Sequence, residues 1–201
     1  MAGGERAGGA VSLEELVSRL VALPMRPAVV AIEGHGSSGK SALAQQLSAQ
    51  LDAVIVTGDD FYRVMPEEER AALTPEQGYR LYFDDERMRD EAIVPLKTGR
   101  PASYRRYGWE HGGGLGALVE LPARPFVIVE RTYVTRPELR PLYDFVVYVK
   151  TPPGLRQARI TARRWPSEPA WPERWAAAEL WFYRQEHPED YADIIVSGAS
   201  P

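Results

Sequence analysis

Gly34-x-x-x-x-Gly39-Lys40-Ser41 sets small residues around one lysine, in a chain where lysine occurs only at Lys40, Lys97 and Lys150 among 24 basic residues. Small residues let successive backbone N–H groups converge on phosphate oxygens, and a helix that follows adds the positive end of its dipole. A mobile ammonium suits the β- and γ-phosphates better than a planar guanidinium, and a serine hydroxyl suits Mg²⁺. The nucleotide-binding candidates are therefore Gly34, His35, Gly36, Ser37, Ser38, Gly39, Lys40, Ser41 and Ala42. An ordinary glycine–serine turn is the competing reading. The flanks decide against it, because an apolar strand pattern precedes the stretch and a helical one follows. His35 is either a contact of the loop or a bystander held by backbone.

The second chemical cluster ends the run "VIVTGDDFY" with Asp59 and Asp60. Parallel sheets put their ligand crevice at the carboxyl ends of strands. A carboxylate there can take the proton of an attacking hydroxyl or order a Mg²⁺ shell; an acid pair capping a helix is the other reading. No Asn-Lys-x-Asp stretch for guanine is present.

These residues must be positioned by elements that the pattern also predicts. Ser12 and Glu15 form a capping box before the stripe Leu13, Leu16, Val17, Leu20, Val21. Buried-type strands are predicted at Ala28–Glu33, Ala53–Thr57, Pro125–Val129, Asp144–Val149 and Ile194–Val196. Helices are predicted over Lys40–Leu51, Asp85–Thr98, Gly154–Arg164 and Pro172–Gln185. Strands alternating with helices imply a parallel sheet of about five strands with helices on both faces, an α/β P-loop NTPase-type three-layer fold. Thr98–Ala117 and Arg163–Trp175 are expected to be irregular functional loops. A disordered arm is expected over 1–11 and a single domain over 12–201.

Composition narrows the class. The chain has 201 residues, no cysteine, and a net charge of -4. A basic face for nucleic acid is not expected, nor are disulfides, a thiolate metal site or a membrane span. No signal peptide is apparent, so a cytoplasmic location is expected. A homodimer is left open.

Gly34 to Ser41, then "DDFY", then "YFDDERMRDEAIVPLKTGRPASYRRYGW", resembles the uridine kinase-like group of small-molecule kinases, which includes nicotinamide riboside, pantothenate and phosphoribulose kinases. The resemblance implies ATP and Mg²⁺ as cofactors and a small-molecule alcohol as acceptor. It implies Asp59 as general base, with Asp60 as a substitute or metal-shell partner and Ser41, Asp59 and Glu130 around the metal. Tyr62, Asp84, Tyr104, Tyr107, Trp109 and His111 fall in acceptor-site segments spanning about 60–117. "RQARITARR" matches an arginine-bearing lid over about 156–175, giving Arg156, Arg159, Arg163 and Arg164 as phosphate contacts; a solvated helix face is the bland alternative. The aromatics could equally be core or rim residues, and Glu130 could pair with Arg131 or Arg136.

Two positions depart from the group's pattern. Arg131 follows the strand-end glutamate where glycine is usual, and is a candidate acceptor or phosphate contact. Gly108 stands between Tyr107 and Trp109 where the nucleoside members carry an aspartate. Losing that carboxylate redirects substrate choice, because a hydrogen-bonding partner for a sugar or base is gone. The readings are a kinase of a nucleoside-like or sugar-like alcohol, a phosphotransferase that modifies an antibiotic or secondary metabolite, and a nucleotide-binding regulatory module with little turnover.

Overall fold

The computed structural model describes residues 11–109, 113–162 and 170–199. The expected arm therefore lies outside the described residues except for Val11. So do the central lid residues 163–169, among them Arg163 and Arg164, and His111.

Helix α1 (Leu13–Val21) starts where Ser12 Oγ accepts the Glu15 amide, and buries Leu16 and Leu20. Strand β1 (Ala28–Glu33) is buried along its whole length and runs through the glycine loop into α2 (Lys40–Gln50). Strand β2 (Ala53–Thr57) ends in a 3-10 turn over Gly58–Phe61. The short helices α3 (Glu67–Ala72) and α4 (Pro75–Leu81) follow, the second opened by a reciprocal Thr74–Gln77 capping box. Helix α5 (Asp85–Met88) passes through a π turn at Arg89–Ile93 into α6 (Val94–Lys97). Pro95 removes a helical donor next to that turn, and the Val94 amide bonds back to Arg89.

Strands β3 (Ala102–Gly108) and β4 (Gly114–Leu121) then pair antiparallel, with a register shift between Arg105 and Tyr107. This hairpin corrects the expectation of an irregular loop over Thr98–Ala117. Ala102 and Tyr104 face inward while Ser103 and Arg105 face out, a two-residue period that the arginines and glycines had obscured. Strands β5 (Phe126–Glu130) and β6 (Phe145–Lys150), helices α7 (Pro153–Ala162) and α8 (Trp171–Glu186), and strand β7 (Ile194–Ser197) complete the chain. Among the described residues no helix is long and apolar enough to cross a membrane.

Five strands form one parallel sheet in the order β2-β5-β1-β6-β7. Register fixes the site. Ile32 on β1 and Thr57 on β2 both pair with Glu130 of β5, so three strands end level and deliver the glycine loop, Asp59 and Glu130 to one edge. Alternate residues of the sheet feed opposite cores. Val30, Ile32, Ile128 and Val149 pack against Leu16, Leu20 and Leu47 of α1 and α2. Val29, Ala31, Val127 and Val129 pack against Phe61, Met88, Ile93 and Tyr104. A third cluster is almost wholly aromatic and joins Tyr62, Tyr79, Phe83 and Tyr107 to Trp171 and Phe182.

Arg131, immediately after β5, is 1% exposed and threads past Gly58. A Cβ at Gly58 would lie 2.5 Å from Arg131 Cβ, so the glycine after β2 leaves the room that the arginine fills. Gly58→Ala is expected to cost about 1–3 kcal/mol through overpacking. Denaturant unfolding of the variant checks this, and an unchanged midpoint would remove the steric link.

Candidate active site

The glycine loop is shaped by two glycines that no other residue could replace without strain. Gly39 has φ +105 as the residue before α2. A Cβ at Gly34 would meet the Val149 carbonyl at 2.7 Å and Ser38 Oγ at 2.8 Å. Helix α2 has no side-chain cap, so the amides of its first turn, at Lys40, Ser41 and Ala42, have no intrahelical acceptor. Lys40 Nζ donates to the Gly34 carbonyl at 2.7 Å, the His35 carbonyl at 2.9 Å and Thr132 Oγ1 at 3.1 Å. Ser41 Oγ donates to Glu130 Oε1 at 3.2 Å. This cradle, with a serine hydroxyl beside a strand-end carboxylate, fits a polyphosphate with a divalent cation. Among the described residues there is no cluster of three acidic or histidine side chains that could hold a metal without phosphate oxygens.

Two carboxylates absent from the sequence reading fix the loop. Glu33 is fully buried and receives the amides of Gly34 (2.9 Å), Tyr133 (3.2 Å) and Thr135 (3.0 Å), with the hydroxyls of Thr135 (3.0 Å) and Tyr183 (3.2 Å). Burial still pushes its carboxyl above the ordinary value, against those donors and the Lys40 charge. Glu179 reaches from α8 to accept the Gly36 amide at 2.6 Å and His35 Nδ1–H at 3.1 Å. Burial raises the Glu179 carboxyl, but the His35 and Gly36 hydrogen bonds and the Lys40 charge bring it below the ordinary value. The His35 ring stacks on Tyr183 with centroids 3.5 Å apart. The legible signal was the spacing Trp175, Glu179, Phe182 and Tyr183, one face of a helix.

A cavity of about 1180 Å³ opens over the loop. Gly36 to Ala42, Asp59, Asp60, Tyr62, Tyr107, Trp109, Glu130, Arg131 and Arg159 all line it, together with Arg106, Trp171 and Trp175, which sequence reasoning did not select. Asp59 is exposed on the 3-10 turn. Asp60 accepts the Tyr104 hydroxyl at 3.0 Å, and burial raises its carboxyl above the ordinary value. Tyr62 packs edge-on to Trp109 at 4.8 Å and also borders Trp171 and Trp175. Buried Arg70 donates to the Tyr107 hydroxyl at 3.0 Å.

The remaining candidates either stand back from the cavity or turn their charge onto the protein. The Asp84 carboxylate caps α5 by accepting the Arg87 amide at 3.1 Å. Arg156 lies 3.9 Å from Glu179. Arg159 lines the cavity but directs its guanidinium to the carbonyls of Ser37 and Ser38 (both 3.3 Å) and Gly198 (2.9 Å), strapping α7 to the glycine loop.

No known protein-family profile matches the sequence. Among curated proteins, a uridine kinase of Clostridium novyi (strain NT) is 28% identical over 148 residues, covering 69% of each chain. Among solved structures, one described as a possible uridine kinase from Bacillus stearothermophilus superposes with a TM-score of 0.70 at 23% identity, over 92% of this chain and 96% of that one. The chain is thus similar in sequence to a uridine kinase and shares its fold with P-loop kinases. Phosphoribulokinase from Rhodobacter spheroides shares the fold more distantly, with a TM-score of 0.56 at 15% identity over 85% of this chain and 69% of that one.

The two departures noted in the sequence, Arg131 and Gly108, have structural counterparts. Arg131 donates to Asp85 at 2.7 Å, lies 4.1 Å over the Phe83 ring, and turns its charge into the protein. Arg136 pairs with the same carboxylate. Asp85 takes both arginines. Gly108 pairs with Gly114 near the turn of the hairpin and offers no side chain to the aromatic wall.

Burial alone would raise the Asp85 carboxyl, but Arg131 and Arg136 hold it below the ordinary carboxylate value. A depressed folded-state pKa contributes stability above the unfolded-state value and loses it as pH falls through the folded-state value. Asp85→Asn is expected to lower stability at neutral pH by about 3–5 kcal/mol, because Arg131 stays buried with its main counter-charge removed. Urea unfolding from neutral to strongly acidic pH should then show a flatter acid limb than the parent chain. Parallel limbs would mean that Asp85 is not the titrating partner.

Proposed function

We propose that this chain is an ATP- and Mg²⁺-dependent kinase that transfers the γ-phosphoryl group to a hydroxyl of a small polar metabolite, a nucleoside or a nucleoside-like or sugar-like alcohol. One observation carries the reading: Asp59, an exposed carboxylate, borders the same cavity as Lys40, Ser41 and the uncapped start of α2. Similarity to a uridine kinase adds independent support.

The residues divide the work. Lys40 and the first amides of α2 neutralise polyphosphate charge, which matters because a loose phosphoryl-transfer transition state leaves little covalent chemistry to the protein. Ser41 and Glu130 would hold the magnesium ion, which supplies further charge neutralisation when bound. Asp59 accepts the acceptor's hydroxyl proton as its oxygen forms the new P–O bond and the bond to the β-phosphate oxygen breaks, releasing ADP. Asp60 is the weaker candidate base, since Tyr104 already donates to it.

Tyr62, Tyr107, Trp109, Trp171 and Trp175 wall the acceptor end, which favours a substrate with a flat or apolar face. With Gly108 contributing no carboxylate, the same wall also suits a secondary metabolite carrying such a face. Screening an alcohol panel for an 80-dalton gain (one HPO₃ group) decides between the two substrate classes.

Lys40→Ala and Asp59→Asn should each slow acceptor-dependent ADP formation by about 10²-fold or more. Asp59→Asn should leave MgATP affinity unchanged by calorimetry. Turnover near that of the parent chain in Asp59→Asn would remove it as the base.

A further inference from the structure

An ammonium group has three donors, and Lys40 spends all of them inside the protein. Two go to carbonyls of the glycine loop itself, at Gly34 and His35. The third goes to Thr132 Oγ1 at 3.1 Å, on the segment that follows β5.

These three acceptors are not equivalent. The Gly34 carbonyl also receives the Thr132 hydroxyl at 3.2 Å, and the His35 carbonyl also receives the Ser38 amide at 3.1 Å. Either carbonyl can therefore release the ammonium and stay hydrogen-bonded, so neither becomes an unpaired acceptor. Thr132 has given its one hydroxyl proton to Gly34, so toward Lys40 it offers lone pairs only. It also lines the cavity, as Lys40 does, whereas Gly34 and His35 are not among the lining residues.

The hydroxyl stands on a fixed post. Thr132 is 4% exposed and lies between Arg131, bound to Asp85, and Tyr133, whose amide Glu33 accepts. Tyr133 turns the chain there with φ +72, a left-handed conformation that a bulky residue adopts only where its surroundings impose it.

Resting on the kinase reading, we infer that Thr132 is a positioning residue for phosphoryl transfer. Its hydroxyl keeps one donor of Lys40, while the donors released by the Gly34 and His35 carbonyls turn to β- and γ-phosphate oxygens. Three donors then meet three acceptors, and the ammonium stays on the cavity wall in one orientation. A charge already held in place costs no reorganisation as negative charge shifts toward the leaving β-phosphate oxygen.

Steady-state kinetics of acceptor-dependent ADP formation, paired with MgATP calorimetry, test this. Thr132→Val, close in shape but without the hydroxyl, should lower kcat about tenfold and leave MgATP affinity within about twofold. Thr132→Ser should restore kcat to within about threefold of the parent chain. Thr132→Ala should match the loss in Thr132→Val and serves in its place if the valine variant does not fold. In a Lys40→Ala background Thr132→Val should change nothing further, because a residue that acts through Lys40 has no effect without it. Parental kcat in the hydroxyl-less variants, no rescue by serine, or a loss that persists without Lys40 would overturn the role of Thr132. The kinase reading would survive each of those results. A parent chain that forms no ADP with any acceptor would bring down both.

Discussion

Five donors converge on the Glu33 carboxylate, and in doing so they bring three separate stretches of chain to a common point. The Gly34 amide belongs to the phosphate loop, the Tyr133 and Thr135 groups to the segment after β5, and the Tyr183 hydroxyl to α8. A buried carboxylate is tolerable only when its oxygens are so satisfied, and removing one partner strands the rest in a low-dielectric interior. Thr132, carried by the tethered segment, donates to the Gly34 carbonyl and accepts from Lys40. The position of the Lys40 ammonium therefore depends on a carboxylate that does not line the cavity.

A second buried charge centre lies beside the aromatic end of the cavity. Asp85 stands between Arg131 and Arg136, whose guanidinium groups lie over Phe83 and Tyr79. Arg131, which lines the cavity, also fastens α5 to the end of the sheet through Asp85. Gly58 leaves space for it. That end of the cavity is thereby left to aromatic faces and to the Asp59–Asp60 pair, a surface built more of ring faces than of hydrogen-bonding groups.

The glycine loop, the parallel strands and helices α1 and α2 were legible because each depends on local pattern: contiguous apolar runs, a 3.6-residue stripe, and glycines of fixed spacing. Strand β5 begins at Phe126 rather than Pro125 and β6 at Phe145 rather than Asp144, since Asp144 is spent on the Val29 amide. The hairpin of β3 and β4 was not legible. Its inward residues, Ala102, Tyr104 and Tyr107, are interrupted by a register shift that breaks the alternation. Glu33 and Glu179 were missed for another reason. Their distant partners lie 100 and more residues away, and helical spacing can at most mark Glu179 as lying on a buried face, not what it pairs with.

Helix α8 reaches both the aromatic wall and the glycine loop. Trp175 borders the aromatic wall, and one turn later Glu179 holds the Gly36 amide. Four residues of helix span about 6 Å and behave as a stiff rod. A tilt of that rod cannot slacken the grip on the glycine loop without also shifting an indole within the aromatic wall. The two halves of the cavity are thus geared together by one mechanical part, and neither can be reshaped in isolation.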